Sequence, residues 1–419
     1  MDENDREIAG FTMLGHGLVH WFEMSIPIFL VVWLDVFPES VTLVGLIVAL
    51  GYAPFGLGAL PAGVIADRYG PKRVILVCFA GMTLSFVALA FATSIYAVGV
   101  ALVLWGVAAS VYHPAGMALI STGAERRGTV FAWHGIAGNL GIALGPFTTA
   151  TLLIFFDWQL VAALIAIPGI LALLYGLRAD FEPVAAVDDP DAGAATAITL
   201  PTFLSNTKTL FASAFVVMFA LVTFEGLFYR GILTFLPEIL QGFPAIESIA
   251  LVDGLEGIQP ADYVFVGLLV VGMAGQYVGG KLSERISVER GLAATFVVLA
   301  ILALAFIPVS QLGLAPLLVL CGLLGFFLFG IQPFYQVGVA LYTPADTRGL
   351  SYGYTYLAEF GFGAASIAIG GFLLGEYTVG AFFAVLASFA LIGSLLAMVL
   401  YLGHTRIDFL ERTEPEAAD

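Results

Sequence analysis

Fourteen of the fifteen Lys and Arg residues in this chain lie in alternate gaps between long apolar stretches, and that pattern leaves very few folds open. Dividing the chain at its charged and turn-rich gaps gives twelve apolar stretches, near residues 8–34, 43–65, 74–93, 95–121, 129–155 and 159–177, then 209–240, 263–282, 291–309, 312–342, 350–374 and 379–402. Arg6 precedes the first stretch, and Arg68, Lys72 and Arg73 follow the second. Arg126 and Arg127 follow the fourth, Arg178 and Lys208 the sixth, and Lys281, Arg285 and Arg290 the eighth. Arg348 follows the tenth, and Arg406 and Arg412 the twelfth. The intervening gaps contain none. Basic residues resist translocation and stay in cytoplasmic loops, so the pattern predicts twelve membrane helices with both termini inside the cell. The fifteenth basic residue, Arg230, sits within an apolar stretch, where a charge is costly and marks a functional site.

The composition agrees with a chain that lives in lipid. Of 419 residues 60% are hydrophobic and 11% charged, against about 25% charged in an ordinary soluble domain. A hydrocarbon core about 30 Å thick takes about 20 apolar residues per helix, so twelve helices use nearly all of this length. The net charge is −16, carried largely by tails and loops such as Asp2, Glu3 and Asp5, Asp188, Asp189 and Asp191, and Glu411, Glu414 and Glu416. That balance excludes nucleic acid as a partner, because phosphate binding needs Lys and Arg. It also resembles the acidic surfaces of extreme halophiles. Cys78 and Cys321 fall within stretches and read as small apolar residues, with no disulfide framework. The acidic start and the lack of a cleavage pattern make the first stretch a membrane helix and not a signal peptide.

The chain repeats. Gly63-x-x-x-Asp67-Arg68 matches Gly280-x-x-x-Glu284-Arg285, His113-Pro114 matches Gln332-Pro333, and Arg127-Gly128 matches Arg348-Gly349, at offsets of 217 to 221 residues. Trp21-Phe22-Glu23 aligns with Phe228-Tyr229-Arg230 at an offset of 207. The predicted fold is therefore all-α and integral to the membrane. It has two pseudo-symmetric six-helix halves, 1–177 and 209–402, a cytoplasmic linker over 178–208, and an acidic cytoplasmic tail over 403–419. Such duplicated halves are a transporter design, with substrate held near the midplane.

With those residues in view, the chain resembles the major facilitator superfamily over essentially its whole length. The loop Gly63-Val-Ile-Ala-Asp67-Arg68-Tyr-Gly70-Pro-Lys72-Arg73 is similar to the family's G-x-x-x-D-R-x-G-x-[RK]-[RK] loop, with Pro71 where a basic residue is usual. The resemblance implies a gating loop in which Asp67 latches onto the start of the eleventh span near Gly349–Ser351. Tyr112-His113-Pro114 and His134-Gly135-x-x-Gly138-Asn139-x-Gly141-x-x-x-Gly145-Pro146 are similar to spans four and five of fosmidomycin-resistance-type efflux proteins. The Gly141/Gly145/Pro146 row also resembles the span-five pattern of drug–proton antiporters, though Thr149 and Ala150 replace two usual glycines and Leu102 stands where an Arg is common. In any membrane protein the same glycine row also serves close helix packing.

Titratable groups inside the spans are the candidates for substrate and proton coupling. His16, His20 and Glu23 share one face of the first helix at i, i+4 and i+7. Glu225 and Arg230 lie on the seventh span, and the repeat pairs Glu23 with Arg230 across the pseudo-symmetry axis. Tyr352, Thr355, Tyr356 and Glu359 form a stripe on the eleventh span, and Gln332, Tyr335 and Gln336 a face on the tenth. His113, His134 and Asn139 complete the predicted lining.

No phosphate loop, nucleophile elbow or zinc-like Cys/His spacing is present, so neither an enzyme nor a cofactor or metal is expected. The expected activity is secondary transport by alternating access, as a monomer in the cell membrane: proton-coupled export of a small organic compound or drug, or else proton- or sodium-coupled uptake of a small organic anion. A membrane enzyme or a non-transporting sensor is the remote alternative.

Overall fold

The computed structural model of the chain describes residues 1–182, 200–247, 259–344, 347–403 and Ile407. All described secondary structure is helical. The helices are α1 (Glu3–Val36), α2 (Val41–Leu57), α3 (Ala59–Tyr69), α4 (Pro71–Leu89), α5 (Ile95–Ala109), α6 (Tyr112–Gly123), α7 (Arg127–Leu153), α8 (Trp158–Ile165) and α9 (Ile167–Arg178). They continue with α10 (Leu200–Phe211), α11 (Phe215–Gln241), α12 (Pro244–Glu247), α13 (Pro260–Ser283), α14 (Val288–Ser310), α15 (Leu314–Gly330), α16 (Gln332–Leu341), α17 (Arg348–Tyr356), α18 (Ala365–Glu376) and α19 (Val379–Gly403). A π-helical turn, Leu357–Phe362, lies between α17 and α18. Eleven of the resulting spans are long and apolar enough to cross a membrane, and α2 with α3 makes a twelfth, bent by 41°. The protein is a multi-pass membrane protein.

Several predicted spans are broken, each at an identifiable residue. The α2–α3 bend falls at Gly58, one turn after Pro54, whose ring removes a hydrogen-bond donor from the ladder. α8 and α9 meet just before Pro168, and α15 and α16 just before Pro333. The predicted linker over 178–208 changes most: its end is helical from Leu200, and the seventh span begins at Phe215 and not near 209. Ser213 makes that break. Its hydroxyl donates to the Leu210 carbonyl at 2.7 Å and accepts the Phe215 N–H at 3.3 Å, which ends one helix and starts the next. Residues 183–199 and most of the predicted tail lie outside the described residues.

The chain forms two compact units. In the first, made of residues 1–39 and 50–182, α1 is the central helix. Glycines bring α7 against it. A Cβ on Gly141 would stand 2.1 Å from the Gly17 carbonyl oxygen, and one on Gly145 would stand 2.4 Å from that of Trp21. The Ser25 and Thr149 hydroxyls meet at 2.9 Å, and the Trp21 indole donates to the Ile165 carbonyl at 3.0 Å. Gly15 leaves room for the Tyr112 ring, whose hydroxyl donates to the Thr12 carbonyl. The glycine row of α7 thus serves close packing, as small residues do where no hydrophobic force joins helices in lipid.

The start of α1 also organises the approach to α7. Asp5 is buried, and its carboxylate accepts the N–H groups of Glu125 at 2.8 Å and Arg126 at 3.1 Å, just ahead of α7. Asn4 donates to the Gly123 carbonyl at 3.0 Å and accepts the Glu182 N–H at 2.8 Å. A carboxylate on free N–H groups at a helix start is stabilised by hydrogen bonds and by the dipole. Asp5→Ala is expected to cost about 1–2 kcal/mol, read as a lower Tm of the purified protein, with Asp5→Asn losing less.

The second unit contains residues 40–49 and the described residues from Leu200 onwards. The first part of α2 therefore packs with this unit. Gly45 meets Gly371 backbone to backbone, where a Cβ would come within 2.9 Å of the Gly371 Cα. α13 and α15 approach through Gly275 against the Phe326 carbonyl and Gly279 against that of Gly330. α11 is the buried helix of this unit, with Glu225 and Arg230 both in its interior.

Candidate functional site

Two polar clusters stand out, one in each unit. The first begins on α1, where the predicted face of His16, His20 and Glu23 forms as expected. The His20 Nδ1–H donates to Glu23 Oε2 at 2.6 Å, and the Nε2 atoms of His20 and His16 lie 3.1 Å apart. His16 Nδ1 is 2.8 Å from the His134 carbonyl oxygen. The His134 ring stacks on His16 with centroids 3.9 Å apart and planes 9° from parallel, and Tyr112 continues the stack at 6.1 Å from His134. His113, at the start of α6, meets His16 and His20 edge-on at 5.3 and 5.5 Å. Gly138 makes room for this packing, since a Cβ there would lie 2.4 Å from the His16 ring. His113 and His134 therefore join the α1 face. Asn139 is only half-buried, with no role among these contacts.

The second cluster surrounds the π-helical turn. An extra residue per turn there places Glu359 inside, where the Tyr335 hydroxyl donates to Oε2 at 2.8 Å. The backbone of the turn lies directly against α11: a Cβ on Gly226 would be 2.4 Å from the Glu359 carbonyl oxygen, and one on Gly363 would be 2.9 Å from the Gly226 carbonyl. Glu225, the neighbour of Gly226, accordingly has Glu359 and Arg230 as its electrostatic neighbours. Both Glu225 oxygens are buried, and neither has a hydrogen-bond partner among the described residues. The Arg230 guanidinium is buried and lies over the Phe360 ring at 4.5 Å and beside the Tyr229 ring at 5.4 Å. The Tyr356 ring stacks on Phe360 at 5.7 Å.

Along the predicted stripe of the eleventh span, Thr355 and Glu359 are buried, Tyr356 is half-buried with Glu359 and Tyr352 as electrostatic neighbours, and Tyr352, nearer the start of α17, is 46% exposed. On α16, Gln332 accepts from Gln276 Nε2 at 3.0 Å and Tyr335 faces Glu359, whereas Gln336 is exposed. Phe360 and Tyr229 carry no sequence signal that sets them apart from other apolar-span residues, whereas Gln276 is a polar residue inside the eighth span, a signal of the same kind as Gln332. Glu23 and Arg230 belong to different units, each with the neighbours just given.

In the predicted gating loop, Gly70 has φ of 84°, a conformation that favours glycine, and joins α3 to α4. Lys72 donates to the Ala179 carbonyl and lies 4.9 Å over the Phe181 ring, and Arg68 lies 5.5 Å from the Tyr69 ring. A Cβ on Gly63 would meet nothing within 4 Å, and Arg73 is exposed. The side chains of Asp67, Arg348 and Gly349 lie outside the described residues, and the predicted latch with them.

The Major Facilitator Superfamily model matches residues 12–366. The chain belongs to that family. Curated relatives include an uncharacterized MFS-type transporter, YqjV, of Bacillus subtilis (strain 168), 30% identical over 156 residues, and a gallate transporter of Pseudomonas putida, 31% identical over 119 residues. These matches cover 37% and 28% of this chain, and span only 37% and 26% of the relatives' own lengths. Among solved structures, a bacterial homologue of the human lysosomal transporter Spinster, in an inward-facing and occupied conformation, superposes with a TM-score of 0.72 at 16% identity, over 99% of this chain and 100% of that one. The nucleoside transporter NupG gives 0.73 at 14% identity, over 95% and 99%. At these identities the likeness is one of fold.

Proposed function

We propose that the protein exports a small organic compound in exchange for protons, with Glu225, Glu359 and Arg230 as the coupling groups. One observation carries this reading: buried Glu225 has a second buried carboxylate, Glu359, and a buried guanidinium, Arg230, as its electrostatic neighbours, and its own oxygens have no hydrogen-bond partner among the described residues. Two carboxylates and one Arg sum to a single negative charge, and one proton makes the set neutral. A net charge in a membrane interior is costly, so the set holds a proton until something replaces it. Glu359 has the Tyr335 hydroxyl as a donor, which leaves Glu225 to carry the proton. A cationic compound that brings its own charged donor to Glu225 replaces that charge and displaces the proton. Compound and proton then occupy the site in turn, which is exchange. A ligand that binds one conformation better shifts the population towards it, and this links the exchange to alternating access.

The likeness of spans four and five to fosmidomycin-resistance-type efflux proteins supports export. Uptake of an organic anion is the second reading, favoured by Arg230 and by the gallate transporter among the relatives. An anion on Arg230 adds negative charge to the set and brings its proton along, which is symport. The two readings differ in one sign. In proteoliposomes carrying an internal pH dye, with a lipophilic organic cation, fosmidomycin and gallate as probes, exchange moves protons against the compound and symport moves them with it. Transport of any of these probes without proton movement would end both readings and leave sodium as the ion to test.

A further inference from the structure

The histidine cluster of the first unit has no part in that coupling scheme, and its hydrogen bonds point to a different ligand. His16 Nδ1 faces a backbone carbonyl, which only accepts, so Nδ1 carries the hydrogen. His20 Nδ1 faces a carboxylate oxygen at 2.6 Å, so it too is the donor. With both Nδ1 atoms protonated, the Nε2 atoms of the two neutral rings are acceptors, and they face each other at 3.1 Å. Two lone pairs in that position repel unless a cation lies between them. A proton satisfies the pair but uses only two rings, and His113 joins them: one ring nitrogen from each of His16, His20 and His113 lies within 4.8 Å of the other two.

We propose that His16, His20 and His113 bind one divalent transition-metal cation of the zinc class. Three features of ligand chemistry agree. Zinc–imidazole bonds of about 2.0–2.1 Å in tetrahedral geometry set ligand nitrogens about 3.3 Å apart, close to the His16–His20 separation. The two Nδ1–H groups are held by a carbonyl and a carboxylate, the second layer that orients metal-binding histidines and raises their basicity. Three neutral imidazoles select zinc, nickel, cobalt or copper over magnesium and calcium, which need oxygen ligands. Glu23 is then a positioning residue acting through His20. The bound cation ties α1 to the start of α6, and three protein ligands leave a fourth position for water or a substrate donor.

This inference rests on the first unit alone and stands or falls separately from the coupling scheme of the second. Its test is zinc titration of the full-length protein, purified in detergent, freed of any affinity tag and stripped with a chelator. Calorimetry is expected to show one zinc bound per chain with a Kd in the micromolar range or tighter, and a higher Tm. Magnesium at the same concentration should give neither. His16→Ala, His20→Ala and His113→Ala should each weaken binding at least tenfold, while His134→Phe, which keeps the stacked ring, should change it less than threefold. His113→Asn provides a milder replacement if an alanine variant does not purify as a monodisperse protein. Absence of saturable binding, or binding that survives every one of the three substitutions, overturns the proposal.

Discussion

Glu225→Gln is expected to abolish proton-driven accumulation while leaving exchange of compound for compound intact. Glutamine has the shape of the protonated acid and cannot give the proton up, so the Glu225, Glu359 and Arg230 set stays neutral through the whole cycle. The protein can still change conformation with compound bound, because no step then requires a charge to appear in the interior. The step that fails is the return coupled to proton release. Uphill transport in proteoliposomes with an imposed pH gradient should fall about 100-fold, equivalent to about 2.7 kcal/mol on the limiting step. Counterflow of labelled against unlabelled compound, without a gradient, should stay within about threefold of the parent protein. If both rates fall together, Glu225 supports the fold or binds compound and is not the coupling group. If neither falls, the coupling proton lies elsewhere. Arg230→Gln separates the roles further: it removes the cation beside Glu225, so it should impair both assays, since an unpaired buried carboxylate costs more than a lost contact.

Much of the architecture behind this prediction was readable in the sequence, because lipid imposes simple rules. Basic residues in alternate gaps mark the loops, and spans of about 20 apolar residues follow from bilayer thickness. The face formed by His16, His20 and Glu23 was readable because α1 is an unbroken helix there, so spacing maps directly onto geometry. Two kinds of information were not readable. One is helix irregularity: the π turn at Leu357–Phe362 has no Pro or Ser to announce it. That same turn, held against Gly226, is what brings Glu359 near Glu225. The other is contact between helices distant in sequence. His113 reaches His16 and His20 from α6, a helix that begins only after a break at Ser110 and Val111, and no local spacing encodes that approach. The scaled distance between motifs revealed a repeat, but not which side chains meet.

Alanine substitutions along α7 are expected to have opposite signs at glycines only a few residues apart. Gly141→Ala places a Cβ 2.1 Å from the Gly17 carbonyl oxygen and 2.9 Å from its carbon, both backbone atoms that no rotamer change can move. α1 and α7 must separate, and overpacking of this kind costs about 3 kcal/mol. Gly145→Ala, at 2.4 Å from the Trp21 carbonyl oxygen, should cost about as much by the same mechanism. Gly17→Ala is milder, since its Cβ would lie 3.3 Å from the Ala137 carbonyl oxygen and a small shift relieves it. A Cβ on Gly135, in α7, would meet nothing within 4 Å. There alanine only restricts the unfolded backbone and improves helix propensity, so stability should rise by about 0.5–1 kcal/mol. Thermal unfolding of the four variants in one detergent would give the order directly, and similar Tm values for Gly141→Ala and Gly135→Ala would show that the α1–α7 approach is not held by these glycines. Gly138→Ala separates packing from the histidine site. Its Cβ would strike the His16 ring at 2.4 Å, a side chain that can rotate away, so it should lower Tm less than Gly141→Ala. It should nonetheless weaken zinc binding, because rotating His16 breaks the 3.1 Å approach of the two Nε2 atoms on which that site depends.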